Sequence, residues 1–145
     1  MSKAQKSANK PLDETPPASD VAPSLCIDFI LKENLMFLII RNLSVVAATD
    51  VRISFSQELS ILGGSKLLSK LSVFHKLRYL APYKEMEVFL DPAESFLSQF
   101  EDKNTVITIT VAYAAEQGKR IKQSITHDLA IYLDLPTTLK HHHND

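Results

Sequence analysis

The chain has 145 residues, 45% hydrophobic and 23% charged, with 16 Lys and Arg against 17 Asp and Glu. That length supports one domain with a tail, and a net charge of −1 argues against a general nucleic-acid binder, which carries a clear basic excess. The single cysteine, Cys26, excludes an intrachain disulfide framework, and only three glycines disfavour a Gly-rich phosphate loop.

Residues 1–23 contain Pro11, Pro16, Pro17 and Pro23, and mix Lys3, Lys6 and Lys10 with Asp13, Glu14 and Asp20. They show no apolar period that could offset the entropy of ordering, so a disordered arm is expected there. The arm has no apolar h-region or cleavage pattern of a secretory signal. Residues 136–145 read as a flexible tail, leaving one domain over residues 24–135. The most apolar run, Leu35 to Ile40, is far shorter than the roughly 20 residues that cross a bilayer. The expectation is a soluble, cytoplasmic protein without a membrane span.

The domain reads mostly as strands. Leu25, Ile27, Phe29 and Leu31 alternate with Cys26, Asp28 and Ile30. The continuous run Leu35 to Ile40 suits a central strand buried on both faces. Val51, Ile53 and Phe55 alternate with Arg52, Ser54 and Ser56, one face buried and one wet. The connection from Leu59 to Lys84 has no clear strand, and Ser65 to Leu71 suits a short helix. Ala81-Pro82 marks a turn, with type I favoured because Tyr83 rather than Gly follows the proline. Met86, Val88 and Leu90 form the next alternation. Asp91-Pro92-Ala93-Glu94 then looks like a helix start, with Asp91 as N-cap and Glu94 as capping-box partner. Ile107, Ile109, Val111 and Tyr113 share one face of a β-branched strand, with Thr108 and Thr110 on the other. A turn at Glu116 to Lys119, with Gly118 suited to positive φ, leads into a long last strand from Ile121 to Leu133, with a bulge near His127 as an option. Six or seven strands with two small helical connections predict an all-β, antiparallel immunoglobulin-like β-sandwich.

The order of these signals resembles bacterial immunoglobulin-like sandwiches of the CARDB type. The resemblance is carried by Asn42-Leu43-Ser44 and the small residues leading to Val51, and by Leu80-Ala81-Pro82 before Glu85 to Leu90. The strand Val106 to Tyr113, the pair Gly118-Lys119 and the closing strand Ile125 to Tyr132 complete it. It covers roughly residues 25–133. Tyr83 stands where the family usually has Gly. The resemblance implies an interaction module and supplies no catalytic residues.

No catalytic residue, cofactor site or metal site is expected. Cys26 reads as a structural cysteine, because Asp28 nearby opposes a thiolate. His127 and Asp128 are neighbours in a strand and point to opposite faces. His141, His142 and His143 read as a solvated tail or a tag remnant. The charge pattern is more informative. Leu59 to Lys84 carries Lys66, Lys70, Lys76, Arg78 and Lys84 with no acid, whereas Glu85 to Asp102 carries only acids. Such a swing marks a surface that meets a partner, and it also arises where two neighbouring stretches neutralise each other. The expected function is a non-catalytic protein–protein interaction module, an accessory subunit or a homo-oligomer. Lys66, Lys70, Lys76 and Arg78 would be its partner-binding residues. A small-ligand or carbohydrate-binding sandwich is the alternative, and nucleic acid is disfavoured.

Overall fold

The computed structural model describes residues 24–115 and 118–135. The expected disordered arm, the flexible tail and the histidine tract lie outside the described residues. β1 (Leu25–Lys32) buries Leu25, Ile27 and Phe29. It turns into β2 (Leu35–Asn42) through Glu33 at φ 52° and Asn34 at φ 66°. Two successive positive φ values give the turn a twist that matches the flanking strands. β3 (Ala48–Phe55) follows, and the next long strands are β7 (Glu85–Pro92), β8 (Val106–Ala114) and β9 (Arg120–Asp128).

The edge strand β6 (Leu77–Leu80) completes a four-stranded sheet of order β9-β8-β3-β6, against a three-stranded sheet of order β1-β2-β7. All pairings are antiparallel. The chain changes sheet between β2 and β3, between β6 and β7, and between β7 and β8, so consecutive hairpins cannot account for the order. This is an all-β, immunoglobulin-like sandwich. The inner faces meet in one core, with Ile27, Phe29, Leu38 and Ile40 from one sheet and Ile53, Ile109, Val111 and Tyr113 from the other. As its composition predicted, β2 is central in its sheet, but it is not buried along both faces: its inner face is buried at Met36, Leu38 and Ile40, whereas on the outer face only Ile39 is buried and Leu35, Phe37 and Arg41 are half-buried.

Four further local expectations are corrected. The connection after β3 is not a plain loop with a helix at 65–71. It forms a small hairpin, β4 (Ser60–Ile61) with β5 (Lys66–Leu67), then 3-10 turns at Leu68–Lys70 and Ser72–Phe74, then β6. Leu59, Ile61, Leu68 and Phe74 bury singly in the core, and single anchors leave neither a 2.0 nor a 3.6 period to detect. α1 spans Ala93–Ser98, with Pro92 rather than Asp91 in the cap position and no side-chain cap bond. Asp91 is buried and bonds instead to Ser95 Oγ (2.9 Å) and to the amide of Gly63 (3.0 Å), which ties the connection to the helix.

The Ala81–Lys84 turn holds Tyr83 at φ 62°, with the Lys84 amide donating to the Ala81 carbonyl at 3.1 Å. Positive φ at the third position makes it type II, not type I. The last strand ends at Asp128, and Leu129–Tyr132 is a 3-10 turn. Asp128 accepts from the Ala130 amide at 3.0 Å, a local bond that competes with the ladder and stops the strand. Among the described residues no helix is long and apolar enough to cross a membrane.

Candidate interaction surfaces

One end of the sandwich is built around Asn42. Its side chain is fully buried, and Nδ2 lies 2.9 Å from the Val46 carbonyl, 3.2 Å from that of Leu80 and 3.1 Å from that of Ala81. Its Oδ1 accepts from the Ser44 amide and hydroxyl at 3.0 and 2.9 Å. The Asn42 amide donates to Lys84, and the Leu43 amide to Ser24. A buried amide satisfied on both ends in this way is costly to disturb. It fixes the β2–β3 loop beside the β6–β7 turn, at the end where β1 begins.

On that frame stand large apolar side chains that the core does not use: Leu43 at 50% exposure, Val45 at 62%, Tyr79 at 61% and Tyr83 at 65%. Lone exposed apolar residues need no explanation, but several standing on two adjoining loops and the end of edge strand β6 make a recognition feature. The sequence carried part of this signal, since Asn42-x-Ser44 and Leu80-Ala81-Pro82 were legible as turns. It did not show that one asparagine joins them.

The expected partner-binding residues are all exposed. Lys66 lies on β5, Lys70 ends the first 3-10 turn, Lys76 follows the second, and Arg78 lies on edge strand β6. None makes an ion pair with an acid among the described residues. The acidic stretch is partly neutralised from elsewhere, by Arg41 on Glu85 at 2.8 Å and Lys32 on Glu87 at 3.1 Å. The basic stretch therefore does not neutralise those two acids.

Sequence reading missed a second basic group. Arg52 and Lys122 both pair with Ala112 in the ladder, so the outer face of the four-stranded sheet carries a cation on each side of a small residue. The alternation of Arg120, Lys122, Ser124 and Thr126 held the signal that would have found it.

The edge of β1 is occupied. Its outward carbonyls at Leu25, Ile27 and Phe29 accept from Gln123 Nε2 (3.0 Å), His127 Nε2 (2.9 Å) and Tyr132 OH (2.9 Å). Because a carbonyl only accepts, the His127 ring carries its proton on Nε2. Its Nδ1 faces Asp28, 3.6 Å away, not Asp128. Asp128 meets Thr105 and Ala130, while Ser124 bonds to Thr110, so Ser124, His127 and Asp128 do not assemble. Burial, and then the Asp28 carboxylate, push the half-buried Cys26 thiol above its ordinary pKa, with Arg41 opposing.

The chain belongs to the DUF8453 family, a domain of unknown function, whose family model matches residues 5–133. A search among curated proteins found no match.

Proposed function

We propose that this DUF8453 domain is a non-catalytic protein-interaction module, an accessory part of a larger assembly, and that it docks its partner through the Asn42 end. The observation that carries the reading is the exposure of Leu43, Val45, Tyr79 and Tyr83 on backbone that the buried Asn42 holds rigid. Tyrosines anchor interfaces at low entropic cost, because they offer a large amphipathic surface on two rotatable bonds. Rigid loops reduce what ordering would otherwise subtract from affinity. Loop clusters at one end of a sandwich are also where immunoglobulin variable domains bind. The CARDB-like reading of the chain is supported by the same features, the Asn42-x-Ser44 turn and the Leu80-Ala81-Pro82 turn.

Affinity purification from the native host tests the proposal with the wild-type chain, a Val45→Ser/Tyr83→Ser variant and a Leu67→Ser control. Leu67 is exposed on the β4–β5 hairpin, away from Asn42. A partner retained by wild type and control but lost by the double variant is the expected result. Equal recovery by all three proteins would overturn it.

A further inference from the structure

The outer face of the four-stranded sheet has an order that the interaction reading does not use. Three residues align across neighbouring strands: Arg52 on β3, Ala112 on β8 and Lys122 on β9. The next row is Ser54, Thr110 and Ser124, with the last two hydroxyls 3.0 Å apart. A shallow cavity of about 410 Å³ opens over these rows, with His75 on its rim. No carboxylate lines it. The acid nearest in sequence to Arg52, Asp50, lies 3.7 Å from Arg120. Among the described residues Arg52 and Lys122 have no acidic partner.

We propose that this cavity binds a phosphomonoester, with the phosphoryl group held over Ala112 between Arg52 and Lys122. Strands lie about 4.8 Å apart, so the two cations rise from backbone roughly 10 Å apart. A methyl side chain between them leaves a notch that their long stems can lean across. A guanidinium forks onto two oxygens of a tetrahedral anion, and an ammonium supplies a compact second charge. A phosphomonoester carries close to two negative charges at neutral pH, which the pair matches. The Thr110 and Ser54 hydroxyls offer further donors. A carboxylate has one charge in a planar group, so it matches two cations less well than a doubly charged tetrahedral anion does. The cavity volume suits the organic body of a small ligand or a single phosphorylated side chain. The proposal is independent of the Asn42 end.

The test is an amide chemical-shift titration of the folded chain with inorganic phosphate, glycerol phosphate and a phosphoserine peptide, each at constant ionic strength set with chloride. Shifts centred on residues 52–54, 110–112 and 122–124 are expected. Arg52→Ser and Lys122→Ser should each weaken binding at least tenfold. Ala112→Val fills the notch without changing charge, on the solvent face of a strand, and should weaken it comparably. The peptide binding at least tenfold tighter than glycerol phosphate would assign the site to a phosphorylated side chain; the reverse would assign it to a small metabolite. Shifts that map elsewhere, that persist in the variants, or that chloride alone reproduces would overturn the site. Tighter binding of an oligonucleotide that carries phosphodiesters but no terminal phosphate, with steep salt dependence, would also overturn it.

Discussion

Tyr83 joins strain to exposure. A side chain at φ 62° sets Cβ against the backbone, at a cost of about 1–2 kcal/mol relative to the right-handed regions. Glycine would relieve this, less about 0.5–1 kcal/mol for its greater freedom in the unfolded chain. Tyr83→Gly should therefore raise the stability by up to about 1 kcal/mol, read as a later denaturant midpoint at unchanged slope. If the ring is an interface anchor, the same variant loses its partner while gaining stability, because strain is retained where function needs it. A lower midpoint would mean that the ring packs on the domain instead. Asp128 makes a second single-residue case. Its bonds from the Ala130 amide and then the Thr105 hydroxyl hold its carboxyl below the usual carboxylate range. A folded pKa below the unfolded one adds stability that is present above the unfolded value and lost as pH falls through the folded value. Asp128→Ala should therefore lower the melting temperature at neutral pH, and the gap to wild type should narrow in strong acid.

At the scale of elements, the contact between β1 and β9 is where sequence reading stopped short. β1 was legible from the alternation of Leu25, Ile27 and Phe29, whereas β9 was legible only as part of a longer strand running to Leu133. Their edge chemistry was not, because the partners Gln123, His127 and Tyr132 lie about a hundred residues away and follow no local rule. A bare sheet edge is a template for unwanted strand pairing. Here side chains from β9 and from the 3-10 turn after it fill the outward carbonyls of Leu25, Ile27 and Phe29, and the Asp28 carboxylate accepts from the Phe29 amide at 2.8 Å. His127→Ala leaves the Ile27 carbonyl without its donor and should cost about 1–3 kcal/mol. Tyr132→Phe removes one hydroxyl with the packing kept and should cost toward the lower end of that range. Denaturant melts measure both, and light scattering after prolonged incubation should show more aggregation for His127→Ala than for a surface control. The connection after β3 hid itself for a related reason. Phe74 is fully buried and meets the half-buried Phe55 edge-on at 5.1 Å, so this stretch is a lid on the core; its leucines and aromatics announce that it is anchored, but their irregular spacing does not show which of them bury.

At the scale of the whole molecule, the question is which part of the Leu59–Lys84 connection meets a partner. The two ends of the sandwich are far apart. An eight-residue strand such as β3 spans roughly 25 Å at about 3.3 Å per residue. Lys66 and Lys70 belong to the end that holds Asp91 and the β1–β2 turn: the Leu62 amide donates to Leu90, and the Ala93 amide to Asn34. Tyr83 belongs to the Asn42 end, and Arg78 lies on β6 one residue before Tyr79. Exposed charges are screened beyond about 8 Å at physiological ionic strength, so cations at the far end cannot act on a partner seated at Asn42. Lys66→Glu/Lys70→Glu should leave both folding and partner affinity unchanged, since exposed charges contribute little to stability. Arg78→Glu should fold equally well, slow association several-fold and flatten its salt dependence, because a charge at an interface rim acts mainly on the encounter rate. Surface plasmon resonance at two salt concentrations distinguishes the cases. Loss of binding in Lys66→Glu/Lys70→Glu, with Arg78→Glu unaffected, would move the interface to the β4–β5 hairpin and away from the tyrosines.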